Sequence, residues 1–428
     1  MLDPALDARA RRPQREGAVT VLRGRVVTPA GVLADGVLAV DGGLVTWVGP
    51  AAAWPPDRPP PPPSGRTLLP GLVDVHCHGG GGHGFPDADR AGAGVAVAHH
   101  LTHGTTTMLA SLVSAPPEVL LERLDVLADL VETGEVAGVH LEGPFLSPQH
   151  CGAQDPAALL PGDPDLLRRL LERGRGTVRS MTLAPETARS RELLTVLREH
   201  GVLPSLGHTG ASSQVLRGWV QAAGGPLSIT HLFNGMPPWH HRDAGPVPAC
   251  LAAAARGEAV VELVADGVHL ADDTVAAVVD LVGPGQVALV TDAMAAAGMP
   301  DGRYPLGPLD VTVCGGVARL SGRPSDQPGQ ASLAGGTARL LDVVRRVVRH
   351  AGVDLARAVT AASTTPAALL GLTDRGALAP GLRADVLVVD DDLRPLGVCR
   401  GGTWVVPLPA EPTPPTDRAQ QEEDAWRS

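Results

Sequence analysis

The feature that most constrains this 428-residue chain is an alternation that begins at Leu72. Short apolar or β-branched runs recur at residues 72–78 (LVDVHCH), 105–109 (TTTML), 137–142 (AGVHLE), 178–184 (VRSMTLA), 202–208 (VLPSLGH), 227–231 (LSITH), 259–266 (AVVELVAD) and 286–292 (QVALVTD). Between them lie segments with helical spacing of apolar residues, such as 117–133 (PEVLLERLDVLADLVET) and 191–201 (RELLTVLREHG). Parallel strands need long crossovers, and helices supply them, so strands alternating with helices make parallel βα units. Eight such units predict an α/β fold closed into a (β/α)8 TIM-like barrel, with a doubly wound sheet as the weaker alternative.

The flanks read differently. Residues 18–49 alternate valine-rich runs with Gly and Asp turns, a proline block follows at Pro55–Pro63, and 375–393 (RGALAPGLRADVLVVDDDL) returns to a β-like pattern. The simplest arrangement pairs 17–68 with 372–407 in a small β-sandwich domain built from both termini, beside a barrel over 69–371. Residues 1–16 are expected to be a frayed leader and 408–428 a disordered polar tail. At 44% hydrophobic and 19% charged the chain can bury a large core, and at 2% aromatic it must do so with Ala, Val, Leu and Gly. A net charge of −11 and no basic tract beyond ARARRPQR give no reason to expect nucleic acid. Five scattered cysteines without a CxxC pair, no apolar leader and no bilayer-length apolar run make a cytoplasmic protein without a membrane partner the expectation.

The polar residues fall at one end of the strand runs. His76 and His78 close the first, Glu142 the third, His208 the fifth, His231 the sixth, Asp266 the seventh and Asp292 the eighth. In a parallel barrel all C-terminal strand ends open on one face, where such barrels build their sites. A period of two puts His76 and His78 on one side of their strand and Cys77, read as a packed small residue, on the other. Imidazoles and carboxylates converging there form a nitrogen- and oxygen-rich set suited to zinc or another first-row divalent ion. His99, His100 and His103 sit on an expected helix and read as packing or surface residues.

At this point the residues resemble the amidohydrolase superfamily, through the strand ending in HxH, the barrel with a flanking sandwich, and the Asp on the last strand. Within it, PGLVDVHCHG (70–79), HLEGPFLSP (140–148), GHT (207–209), THLFNGM (230–236), ADGVH (265–269), LVTDAM (289–294) and SLAGG (332–336) resemble the N-acetylglucosamine-6-phosphate deacetylase family. The resemblance implies Glu142, His208 and His231 as the main metal ligands, with His76 and His78 matching members that keep HxH and hold a second ion. It implies one or two divalent cations per subunit, zinc first, with Fe, Co or Mn as alternatives. Asn234, Gly235, Arg242 and His269 match sugar-phosphate contacts, and Leu333, Ala334 and Gly335 match a loop near the substrate. An arginine at the Arg242 position reaches the neighbouring subunit's site in that family, which implies a homodimer.

One stretch departs from the family. Where it commonly reads KGAH, this chain reads HCGAQ, so Gln154, after Ala153, stands where a histidine would contact the substrate amide. A glutamine can donate a hydrogen bond to a carbonyl but cannot change charge. The chain also has no lysine; its 35 basic residues are all arginine. A carbamylated lysine bridging two metals is therefore ruled out, which argues against dihydroorotase-, hydantoinase- or urease-like chemistry and leaves Glu142 as the anionic ligand.

The implied activity is metal-dependent removal of the acetyl group from N-acetyl-D-glucosamine 6-phosphate, in amino-sugar catabolism or cell-wall recycling. The competing expectation is a deacylase or deaminase of the same superfamily acting on another substrate. Asp292 is the expected catalytic residue, taking a proton from water and returning it to the departing amine. Arg242, His269 and Asn234 would hold phosphate. Asp266 is either a partner to one of these groups or an acceptor for a substrate hydroxyl.

Overall fold

The computed structural model describes residues 19–56, 58–321 and 331–409. The expected leader, and all but the first two residues of the expected tail, lie outside them. Eight parallel strands run in chain order around a barrel: β1 (Leu72–Asp74), β2 (Thr105–Leu112), β3 (Gly138–Glu142), β4 (Val178–Leu183), β5 (Leu203–Leu206), β6 (Ser228–Ile229), β7 (Val260–Leu263) and β8 (Val287–Leu289). The strands are shorter than their apolar runs, so most of the polar residues that end those runs lie in the loops just past the strand ends. Only Glu142 is the last residue of its strand.

Helices α1 (Arg90–Leu101) to α7 (Asp272–Val282) follow their strands in turn, and α8 (Leu340–Arg349), α9 (Leu355–Ala362) and α10 (Thr364–Leu369) complete the ring. Amphipathic spacing decides which face each buries. In α8, Leu340, Leu341, Val343, Val344 and Val347 are buried while the intervening arginines are not. The core between strands and helices is mostly Leu, Val and Ala, with Trp219, Phe85 and Phe145 its largest fully buried side chains.

The strand ladder runs from β8 round to β1 without joining those two strands to each other. That seam is closed by the loops past their ends. Asp292 N donates to His76 O at 2.9 Å and His78 N to Ala293 O at 2.7 Å. Below them the Thr291 hydroxyl donates to the buried Asp74 carboxylate at 2.6 Å. The two histidines of HxH and Asp292 therefore face one another across the line along which the barrel closes.

Both termini contribute to the second sheet. Its seven strands run in the order Thr403–Val406, Pro395–Arg400, Val386–Val389, Thr67–Pro70, Thr20–Thr28, Gly31–Asp41, Leu44–Pro50. It is one continuous sheet folded over its own apolar face, since Val45 N bonds Leu382 O and Ala384 N bonds Gly43 O across the fold. Val26, Leu38, Leu68, Val386 and Val388 fill the space within.

Two features were absent from the sequence reading. The glycine run after HxH forms a ribbon pairing Gly79–Gly80 with His83–Gly84. A three-stranded antiparallel sheet (Gly302–Leu306, Leu309–Cys314, Val317–Leu320) is inserted between β8 and α8 and packs Leu306, Val311 and Leu320 against Val113 and Met294 at the barrel mouth.

Candidate metal centre and active site

Glu142 stands between two pairs of histidines. Its Oε1 lies 2.9 Å from His231 Nε2 and 3.0 Å from His208 Nε2. Its Oε2 lies 3.3 Å from His78 Nε2. His76 Nε2 is 3.0 Å from His78 Nε2, and Asp292 Oδ1 is 3.5 Å from His76 and 3.3 Å from His78. All four imidazoles and Glu142 are buried.

Three of these residues sit on left-handed backbone: His208 at φ 47°, His231 at φ 29° and Asp292 at φ 48°. Such conformations cost about 1–3 kcal/mol each and cluster where a side chain must be aimed. Around His208 the packing also demands glycine. A Cβ on Gly235, which has φ 61°, would stand 2.8 Å from His208 Nδ1.

The donor set fits a divalent cation. His76, His78 and Asp292 form one group, and Glu142, His208 and His231 another, with donor atoms in each within 4.8 Å of one another. Lone-pair-bearing nitrogens and carboxylate oxygens that point at a common centre repel unless protons or a cation lie between them, and imidazole with carboxylate is a zinc-type set. The electrostatics agree. Burial raises the Glu142 carboxyl, but His76, His208 and His231 outweigh it and hold Glu142 well below the ordinary carboxylate range. Burial likewise works against Asp292, and His76 with His78 hold it low.

Above the cluster opens a cavity of about 330 Å³. Of the sequence-predicted site residues, His78, Glu142, His208, His231 and Asp292 form its floor, and Ala153, Gln154, Asn234, Gly235, His269, Leu333 and Gly335 line it. His76 lies fully buried beneath His78 and Glu142. Ala334 is buried in the packing behind the loop. Asp266 serves His269: it accepts the His269 backbone N–H at 2.8 Å, and its other oxygen lies 2.8 Å from Nδ1. Arg242 is not brought to the site. It is exposed, with its guanidinium 2.8 Å from the neighbouring His241 ring.

Gln154 is engaged by the protein itself. Its Oε1 accepts from Ser114 N at 2.7 Å, and its Nε2 donates to Glu142 Oε2 at 2.6 Å. The backbone N–H of Ser114 can only donate, so it fixes which end of the amide faces Glu142.

Sequence reasoning missed Glu262 and His140. Glu262 in β7 is buried, 3.1 Å from His76 Nδ1. His140 lies edge-on to His76 with ring centroids 4.5 Å apart. A glutamate within the apolar run AVVELVAD was the available signal, because a buried carboxylate needs partners. His100 is a buried packing residue, as expected, with Nε2 2.9 Å from Gly79 O.

Comparison with known proteins bears on this geometry. The model of the family described as "Amidohydrolase family" matches residues 67–410. The chain belongs to the amidohydrolase family. This amidohydrolase is 31% identical to the N-acetylglucosamine-6-phosphate deacetylase of Bacillus subtilis, over 88% of the chain and 94% of that protein. It is 32% identical to an Escherichia coli N-acetylgalactosamine-6-phosphate deacetylase, over 87% and 96%. Among solved structures, an N-acetyl-D-glucosamine-6-phosphate deacetylase variant from Mycobacterium smegmatis, in complex with N-acetyl-D-glucosamine-6-phosphate, superposes with a TM-score of 0.84 at 40% identity, covering 91% of this chain and all of that one.

Proposed function

We propose that this amidohydrolase, through its barrel over 69–371, removes the acetyl group of N-acetyl-D-glucosamine 6-phosphate to give D-glucosamine 6-phosphate and acetate. The carrying observation is Glu142, whose Oε1 faces His208 and His231 and whose Oε2 faces His78 on the floor of the cavity. The names of its relatives support the same reading. A divalent cation held by Glu142, His208 and His231, with a second at His76, His78 and Asp292, would act as a Lewis acid and lower the pKa of its water towards about 7.

The chain's own groups do the rest. Asp292 accepts the proton of the attacking water and returns it to the departing nitrogen, without which the C–N bond has no competent leaving group. Gln154 holds Glu142 in place. His269, whose hold on a proton Asp266 strengthens, meets the phosphate together with Asn234 and the backbone at Gly235, and the 333–335 loop covers the sugar. The family resemblance brings Arg242 to the phosphate from a second copy, which makes the working unit a homodimer, and the absence of an arginine among the described residues that line the cavity is compatible with that. The imidazole-rich ligands support zinc ahead of Fe, Co or Mn. A cytoplasmic location is in keeping with five free cysteines, and no helix among the described residues is long and apolar enough to cross a membrane.

Near-equal identity to the galactosamine relative supports a second reading, in which the substrate is the C4 epimer. Acetate release from both N-acetylhexosamine 6-phosphates and from unphosphorylated N-acetylglucosamine tests both. The expected order is the glucosamine phosphate first and the unphosphorylated sugar at least 100-fold lower in kcat/KM. Equal turnover with and without phosphate overturns the phosphate assignment, and faster turnover of the galactosamine phosphate selects the second reading.

A further inference from the structure

The two histidine pairs share an asymmetry. In each, one ring has a partner on its outward nitrogen and the other has none. His208 Nδ1 lies 2.8 Å from the His150 carbonyl, and His76 Nδ1 lies 3.1 Å from Glu262 Oε2. Nδ1 of His78 and of His231 is buried without a hydrogen-bond partner among the described residues. Which nitrogen carries the proton is thus set by the protein for one imidazole in each group, by a neutral carbonyl in one case and by a carboxylate in the other.

Glu262 is built for that task. It is 4% exposed, in the barrel wall on β7. Its Oε1 accepts from the Ser228 hydroxyl on β6 at 2.7 Å, and its Oε2 accepts from His231 N at 3.3 Å. A carboxylate offers lone pairs only, so the nitrogen of His76 that faces it must carry the N–H. In the neutral ring that a cation would meet, Nε2 is then left with its lone pair directed at His78, Glu142 and Asp292. The ring cannot answer by swinging away, because His140 lies against it, with its own nitrogens 3.0 Å from Ser111 Oγ and 2.9 Å from Thr182 Oγ1.

We infer that Glu262 is a positioning residue that fixes the His76 tautomer and thereby sets the affinity of the His76, His78 and Asp292 group for a divalent cation. This rests on the reading of that group as an ion site. The effect falls on that group more than on Glu142, His208 and His231, because Glu262 touches the latter only through the His231 backbone N–H. In Glu262→Gln the side chain can present an N–H to Nδ1 instead. That permits the other tautomer, with a proton on the nitrogen that should bind metal. Loss of such an outer carboxylate typically lowers metal affinity 10–100-fold.

The test is zinc stoichiometry and stepwise affinity, by elemental analysis and chelator competition, on wild type, Glu262→Gln and Ser228→Ala. Wild type is expected to hold two equivalents. Glu262→Gln should keep one tight equivalent and bind the second about 10–100-fold more weakly. Ser228→Ala, which removes another contact of the same carboxylate, should stay within a few-fold of wild type. Unchanged binding in Glu262→Gln overturns the proposal, and so does equal weakening in Ser228→Ala, which would assign Glu262 to strand packing. A single equivalent in wild type overturns the underlying site reading instead. A second measurement needs no variant. Long-range 15N–1H spectra of histidine-labelled, zinc-loaded wild type should show His76 protonated at Nδ1 and bare at Nε2, and a bare Nδ1 contradicts the proposal.

Discussion

Gln154 Nε2 donates to Glu142 Oε2 at 2.6 Å, which makes the residue that departs from the family pattern a partner of the carboxylate at the centre of the histidine cluster. The side chain spans from Ser114 N, at 2.7 Å, to the carboxylate, and both ends are buried. Gln154→Ala leaves Ser114 N without its acceptor and frees Glu142 to rotate. Zinc affinity at the tighter site should fall about 10–100-fold, read by chelator competition. Affinity within two-fold of wild type would mean that Gln154 does not hold Glu142.

The Asp266–His269 pair predicts a pH signature. Burial works to lower His269, but the bond to Asp266, its charge and that of Asp292 outweigh it and raise His269 above 6.5. Burial works to raise Asp266, and His269 outweighs it and lowers Asp266 below 3.8. The His269 share of stability is complete below 6.5 and is lost as pH rises through its raised value. The Asp266 share is present above 3.8 and is lost as pH falls through its lowered value. In a double-mutant cycle of Asp266→Asn and His269→Gln, the coupling should be about 1–3 kcal/mol. It should be flat between the two ordinary values and shrink on either side. A coupling that grows with rising pH would contradict the pairing.

Arg242 is exposed and does not line the cavity of its own chain, and the phosphate assignment draws on it as a cation beside His269. Arg242→Ala should raise KM for the phosphorylated substrate about ten-fold or more, as expected for loss of a charge-assisted contact worth about 1.5–3 kcal/mol, with kcat little changed. Mixing Arg242→Ala with Asp292→Asn, and allowing subunits to exchange, should restore low-KM activity, because one site of the hybrid then has both groups. Failure to complement in a demonstrated dimer would remove Arg242 from the neighbouring site.

The barrel and the mouth residues were legible in the sequence because strand-end placement is a local property. Each of His76, His78, Glu142, His208, His231 and Asp292 follows an apolar run, and parallel topology alone gathers such ends on one face. What was not legible is what depends on the third dimension. Glu262 lies within a strand, and nothing in AVVELVAD tells which neighbour it faces. The role of Gln154 depends on Ser114, forty residues away in sequence. The three strands at 302–320 alternate visibly, as in LDVTVC, but they stand outside the βα rhythm by which the barrel is recognised. The two-terminus sheet was legible as a pairing of flanks, whereas its folding over as one continuous sheet follows from backbone bonds between Gly43–Val45 and 382–384.

The account centres on proton transfer by Asp292 during amide hydrolysis at this site. Its most direct test is acetate release from N-acetyl-D-glucosamine 6-phosphate by zinc-loaded wild type and by Asp292→Asn, with bound zinc measured in both. The expected result is loss of kcat by at least about 10²–10⁴-fold, the range of general acid–base catalysis, while the Glu142, His208 and His231 group keeps its metal. Activity within a few-fold of wild type in a metal-loaded Asp292→Asn would contradict it.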